Sequence, residues 1–336
     1  MATKQCKGSW QLCNCYHLLP LTRTPMITHV GFSRKIEAFT RRLPCLETTI
    51  IKRKPSVFDS YLRKRINVAT QNTPVTTTLG LLDAFEDEYD GAIINPECLP
   101  DTSYEFAAML HYSLSYWRLK GKKGIWLKIL EDQADLVPIA LKAGFSYHHA
   151  EPGYVMLTYW IANEPCMLPS TATHQVGVGG FVINENREVL VVKEKCPLRC
   201  SCIWKLPTGL LDKSEDIFCG AIREVKEETG IDTCFLEVVA FRHAHQVIFE
   251  KSDLLFICML KPLSFDISID ALEIQAATWM PLDEFLDQPF HREDRMSKNI
   301  LDICIARHEN LYRGFTANRM MSKLDERLSY LYCGDI

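Results

Sequence analysis

The sequence predicts an α/β (α+β) protein in which mixed sheets pack against helices. Three observations carry this. Short apolar segments of strand character outnumber the helical ones. Helical segments with a 3.6-residue apolar period fall between them rather than in a separate block. The 336 residues, 47% apolar and 24% charged, have ordinary globular composition and are enough for about two domains.

The elements follow in order. Order begins near Leu79, after a linker-like stretch over residues 70–78 that holds Asn72, Pro74 and five threonines. Asp90 and Gly91 signal a turn, and residues 92–94 a short strand. Residues 104–120 predict a helix, with Phe106, Met109, Leu110, Leu114 and Trp117 on one face. Ser103 is the expected N-cap and Gly121 the stop signal. A strand over 124–130 and a helix over 132–143, ending at Gly144, come next. Strands over 145–149 and 155–160 flank the turn at Pro152 and Gly153. This first α+β module spans residues 79–162.

Pro165 and Pro169 mark a second linker over 163–173. A second domain is expected over 174–310, followed by a tail over 311–336. Its predicted strands cover 175–183, 188–194, 204–206, 235–242, 254–261 and 276–280. Its predicted helices cover 215–229, 282–286 and 298–307.

Charge divides the chain. Residues 1–70 carry thirteen Lys/Arg against three Asp/Glu, although the whole chain has net charge −4. The basic, acid-poor lead over residues 1–75 has the composition of a transit peptide, so plastid or mitochondrion is the expected compartment. Cytoplasm is the alternative, with the lead a disordered tail. The acidic body is a poor nucleic-acid binder and a better host for divalent cations. No run of 18 apolar residues exists, so no membrane span is expected. The fourteen cysteines are scattered and read as reduced thiols. Cys196, Cys200 and Cys202 are the densest group and are read as a surface loop, with zinc or thiol regulation as alternatives.

The chemistry concentrates in residues 209–231, GLLDKSEDIFCGAIREVKEETGI. Ser214 is the expected N-cap of its helix, and Gly230 falls where a C-cap glycine belongs. Ile217, Phe218, Ala221, Ile222 and Val225 form the apolar stripe. Glu224, Glu227 and Glu228 share the opposite face at i, i+3 and i+4 and crowd the helix C-terminus, where the dipole disfavours anions. A cation would relieve that repulsion, and carboxylate oxygens are what Mg²⁺ or Mn²⁺ select. Arg223 is spaced to pair with Glu227. A solvated acidic helix face is the alternative.

The full pattern, G-x5-E-x7-R-E-U-x-E-E-x-G-U with U apolar, is met without departure by Gly209, Glu215, Arg223, Glu224, Val225, Glu227, Glu228, Gly230 and Ile231. It resembles the signature of the Nudix hydrolases. Segments such as GKKGIWLKI and HQVGVGGFVIN extend the likeness over residues 80–290, to plant members acting on ADP-ribose and NADH, among them those with an extended N-terminus. They also resemble the animal Nudix protein encoded antisense to a fibroblast growth factor gene. The resemblance implies an α/β/α sandwich with a mixed sheet, preceded by a small acetyltransferase-like module. This chain lacks an acetyl-CoA loop: its GKKG run follows a helix and precedes a strand, the reverse of a phosphate cradle.

By resemblance, Glu224 and Glu228 are metal ligands, with Glu227 sharing the site. Arg223 orients Glu227, Gly209 lets the loop turn, and Glu215 supports the loop or the metal shell. The implied reaction is Mg²⁺- or Mn²⁺-dependent hydrolysis of a pyrophosphate bond in a nucleoside diphosphate linked to another moiety. A nucleotide sensor with little turnover is the alternative. A homodimer is also implied. For the general base, Glu273 is preferred over Glu250 and Asp253. His148 and His149, adjacent on a strand, are expected to point to opposite faces, one packed and one exposed. His243 and His245 are expected to face the same way, and Trp204, Phe241 and Phe249 to lie where an adenine could stack.

Overall fold

The computed structural model describes residues 80–195, 203–321, 323 and 327–334. The basic lead and the Cys196, Cys200 and Cys202 group lie outside the described residues. The rest falls into two compact units, one ending at Ala172 and the other beginning at Thr173.

The first unit is a five-stranded mixed sheet with one long helix. Strands β1 (Ala84–Glu86), β2 (Ala92–Ile94), β3 (Gly124–Leu130), β4 (Ser146–Glu151) and β5 (Tyr154–Trp160) run in the order β1-β2-β3-β5-β4. Only β2 and β3 are parallel. Helix α1 (Ser103–Leu119) buries Phe106, Leu110, Leu114 and Trp117 against Ile94, Ile125, Leu127 and Leu157. Its N-cap is Thr102, not Ser103: the Thr102 hydroxyl accepts from the Glu105 N–H at 3.2 Å. Ser103 instead bonds the Asp135 carboxylate at 3.0 Å. The expected helix over 132–143 is split into a 3-10 segment, Glu131–Leu136, and α2, Val137–Lys142. Pro138 has no N–H to continue an α-helical ladder across the junction.

The histidine pair is also a correction. The register slips between Tyr147 and His149, and the bulge breaks the alternation that would separate them. Both rings are half-buried, with their Nδ1 atoms 2.6 Å apart.

In the second unit, β6 (His174–Val182), β8 (Thr208–Leu210), β9 (Thr233–Ile248) and β10 (Lys251–Pro262) form a sheet in the order β8-β6-β10-β9. Strands β6 and β10 are parallel and the other pairs antiparallel. Strands β7 (Glu188–Glu194) and β11 (Ile274–Pro281) pair separately, and Lys205 bridges to Val192. The sequence places a strand over 204–206. Only that bridge forms there; Pro207 comes soon after it, and the strand proper is β8, which runs into the signature at Gly209.

Period-2 alternation sorts the core into two layers. Val178, Val182, Leu190, Cys258 and Leu260 face helix α3 (Ile217–Thr229). Phe181, Val189, Val191, Ile257 and Met259 face α4 (Leu282–Leu286) and α6 (Arg295–His308). The short helix α5 (Pro289–Glu293) lies between these two in sequence. The result is an α/β/α sandwich with a mixed sheet. The last described residues form a hairpin, β12 (Thr316–Met321) with β13 (Leu328–Cys333). Its Tyr330 ring packs edge-on against Phe218 of α3, centroids 4.9 Å apart. Among the described residues, no helix is long and apolar enough to cross a membrane.

Candidate active site

The signature folds as strand, loop and helix. In β8, Gly209 pairs with Val178 and Leu210 with Gly177 of β6, which brings the loop beside the start of the sheet. A side chain on Gly209 would run into the Glu224 carboxylate, so the absence of a Cβ is what admits that carboxylate. The helix begins after Asp216, the observed N-cap in place of Ser214, which sits in the loop at φ 64°. Gly230 ends it in the left-handed region at φ 76°, with its N–H on the Lys226 carbonyl.

Arg223 is the hub. Its Nε donates to Glu215 Oε1 at 2.8 Å and its Nη2 to Glu215 Oε2 at 2.7 Å. Nη2 also donates to the Leu210 carbonyl at 2.9 Å. Nη1 reaches Glu224 Oε1 at 2.7 Å and Glu227 Oε2 at 3.1 Å. The sequence expects the Glu227 contact; the shorter bonds go to Glu215 and Glu224. The planar guanidinium therefore ties the loop before the helix to two carboxylates on the helix. Burial raises the Glu215 pKa, but the Arg223 bonds and the Asp212 N–H outweigh it and hold Glu215 below its ordinary value.

Glu224 and Glu228 are buried and Glu227 is exposed. Burial pushes Glu228 up to about 8; Glu194 and Glu224 push the same way, while Lys205 and the Thr208 N–H oppose. The Thr208 N–H donates to Glu228 Oε2 at 3.3 Å. Lys205 Nζ pairs with Glu194 and donates to the Thr208 hydroxyl at 2.6 Å. Glu194 is 7% exposed. Neither Glu194 nor Lys205 belongs to the signature. A signal existed: Glu194 is in phase with Leu190 and Val192, a charge at an inward position of an apolar strand.

Beside this cluster lies a cavity of about 160 Å³, with Lys205, Thr208, Arg242, Asp253, Phe290 and Met296 among its walls. A narrower crevice runs between Gly177, Gly209, Asp253, Val247 and Ile248. Asp253 borders both, and burial raises its pKa against the opposing charge of Arg242. Glu273 is exposed just before β11, its carbonyl accepting from the Lys195 N–H at 2.8 Å, and lines neither space. Glu250 sits in the turn between β9 and β10. Trp204 lies under Lys193, with Nζ 4.5 Å from the ring centroid, while Phe241 packs on Phe256. His243 and His245 do share a face, ring centroids 4.4 Å apart, and His174 Nε2 lies 2.8 Å from His243 Nε2.

The donor set suits a hard divalent cation, because Glu194, Glu224 and Glu228 offer only carboxylate oxygens. Among the described residues, no three side chains form a ready ligand group. Glu224 is turned onto Arg223 and Glu228 onto Thr208. The thiols nearby are quiet: burial, Asp216 and Glu215 raise the Cys219 pKa, and burial takes Cys258 and Cys304 up to about 12.

Comparison with known proteins gives the family. The NUDIX domain family matches residues 173–299, and a family described as the Nudix hydrolase domain matches residues 82–161. Nudix hydrolase 8 of Arabidopsis thaliana is 61% identical over 254 residues, 75% of this chain and 69% of its own length. Nudix hydrolase 2 of the same plant is 47% identical over 71% of this chain and 86% of its own. The human protein named nucleoside diphosphate-linked moiety X motif 6 is 40% identical over 53% of this chain and 57% of its own. With the signature folded around Arg223 and carried on an α/β/α sandwich, the chain belongs to the Nudix hydrolase family and is a pyrophosphohydrolase.

Proposed function

We propose that this chain hydrolyses the pyrophosphate bond of a nucleoside diphosphate linked to another moiety, with ADP-ribose and NADH as leading substrates and Mg²⁺ or Mn²⁺ as cofactor. The observation that carries the reading is the buried Glu224 and Glu228 pair beside Gly209, with Glu224 locked to Arg223. The name of the human relative supports the substrate class.

In this reading Glu224 and Glu228 hold the cation, and Glu227, exposed at the helix edge, completes the set. When bound, the cation lowers the pKa of water and neutralises phosphoryl oxygens. Arg223 keeps the Glu224 carboxylate oriented and cannot itself be deprotonated. Lys205 and Arg242 bring positive charge to the cavity walls, complementary to a diphosphate. Two carboxylates compete for the role of general base. Glu273 is the sequence candidate; Asp253 is supported by its position in the cavity wall. The first module is read as a dimerisation or substrate-shaping element with an acetyltransferase-like fold, and the basic lead as an organelle address.

The test is product analysis on the full chain with Mg²⁺ or Mn²⁺, offered ADP-ribose, NADH, NAD, FAD, CoA and diadenosine polyphosphates. Turnover of one compound, lost in Glu228→Gln, is expected. Turnover that survives Glu228→Gln contradicts the site, and binding without turnover makes the chain a sensor. Asp253→Asn and Glu273→Gln then divide the base role.

A further inference from the structure

The turn between β9 and β10 is built against ordinary preference. Lys251 lies opposite Ile248 but Asp253 lies opposite Ala244, so His245, Gln246 and Val247 bulge against the single residue Ser252. Gln246 sits in that bulge at φ 54°. Phe249 and Glu250, the two residues of the turn, have φ values of 49° and 60°. Positive φ at both positions of a two-residue hairpin loop is the demand that Asn-Gly or Gly-Gly ordinarily meets. A bulky aromatic there is an outlier. Core packing does not account for it, because Phe249 is 87% exposed.

Outliers of this kind collect at ligand clamps, and bulges re-aim side chains beside active sites. The place fits. Val247 and Ile248, the residues just before the turn, line the crevice with Gly209, Gly177 and Asp253. The tip therefore follows directly on two residues that share a crevice with Gly209, the glycine that admits the Glu224 carboxylate. Its ring is uncharged and its neighbour Glu250 is an acid. That chemistry suits the flat face of a base and disfavours a phosphate at the tip itself.

We propose that Phe249 is a specificity-determining residue, held out by the strained tip to stack on the base of a nucleoside diphosphate whose phosphates lie at Gly209. The proposal rests on the substrate class given above and adds the residue that reads the base.

The probe is 1,N6-etheno-ADP, whose base fluorescence reports stacking, titrated into the full-length chain in parallel with steady-state kinetics. Phe249→Ala is expected to weaken binding about tenfold and to raise KM alike, with kcat within about twofold of the parent. Phe249→Trp is expected to keep both. The double change Phe249→Asn with Glu250→Gly is expected to raise the thermal midpoint, by relieving the backbone, while losing affinity as Phe249→Ala does. Unchanged etheno-ADP affinity in Phe249→Ala overturns the proposal, as does a lowered midpoint in the Asn-Gly variant. A parent chain that binds no etheno-ADP overturns the proposal and the substrate class together. Binding by the parent without turnover of any diphosphate overturns the hydrolase reading alone, and the affinities then decide the role of Phe249.

Discussion

Arg223 donates to both carboxylate oxygens of Glu215, at 2.8 and 2.7 Å, across eight residues of chain. That pair joins the loop before α3 to the middle of the helix, and the same guanidinium holds Glu224 and the Leu210 carbonyl. A lysine has one ammonium and no fork. Arg223→Lys should therefore free Glu215 or Glu224 and destabilise the unit by about 2–3 kcal/mol, since both partners are mostly buried. Urea unfolding should show a lower midpoint with an unchanged slope, together with loss of most turnover. A variant with wild-type midpoint would mean that the fork does not hold the loop.

The Glu194 and Lys205 pair lies outside the signature but within its cluster. Replacing Lys205 by Met leaves Glu194 a buried, unpaired carboxylate, at a cost of about 3 kcal/mol. Adding Glu194→Gln should recover most of that, because the second change removes the orphaned charge. The double-mutant cycle should therefore yield a coupling of at least about 1 kcal/mol. Additive losses would show that the two side chains do not depend on each other.

These two pairs mark where sequence reading stops. Period and punctuation made the elements legible, and the family resemblance implied the sandwich: β7 and α4 have the expected bounds, and Gly230 takes the left-handed cap that its position announced. The sequence placed Glu224, Glu227 and Glu228 on one polar helix face; that Glu224 and Glu228 are buried there and Glu227 is exposed was not legible. Local propensity failed where a neighbour decided. Ser214 lost the cap to Asp216, and Glu215, expected to open the helix, lies in the loop and accepts from Arg223. His148 and His149 met because a bulge is invisible to an alternation rule. Lys205 entered the site through an isolated bridge to Val192 that no local pattern announces. The hairpin of β12 and β13 was not foreseen; the residues that lead into it, Gly314 and Phe315, bond Glu237 and Val238 of β9.

The two glycines that frame the signature should fail in different ways. At Gly209 an added methyl collides with the Glu224 carboxylate, a side chain that can swing away. Gly209→Ala should fold with a modest loss of stability and, on the proposed role of Glu224 as a metal ligand, bind Mn²⁺ about 10–100-fold more weakly. At Gly230 the φ of 76° disfavours any side chain, and the obstacle is the Ser268 backbone, 2.9 to 3.1 Å from the new Cβ. The Ser268 N–H is bonded to the Thr229 carbonyl at 2.8 Å, so that backbone cannot retreat freely. Gly230→Ala should cost about 1–2 kcal/mol with little direct effect on the metal. Calorimetric titration with Mn²⁺ beside thermal unfolding separates the two, and equal losses in both variants would contradict this division.

The last prediction concerns protons. Burial lifts Glu228 from 4.5 to about 8 in the metal-free chain. The unfolded chain releases this proton near pH 4.5, while the folded chain keeps it until about pH 8. Between those values the folded state binds more protons, so the contribution of Glu228 to stability falls as pH rises, by at most about 1.4 kcal/mol per unit. Below pH 4.5 both states are protonated and above pH 8 neither is, so the contribution is flat outside the window. Glu228→Gln cannot lose a proton. Its stability relative to the parent should therefore grow with pH through the window and then level off. A divalent cation held by this carboxylate, as proposed above, should reverse the trend in the parent: Mn²⁺ should bind more tightly as pH rises, releasing up to one proton, and should raise the thermal midpoint of the parent more than that of the variant. Parallel pH profiles for the two metal-free proteins would show that Glu228 ionises as an ordinary exposed glutamate does.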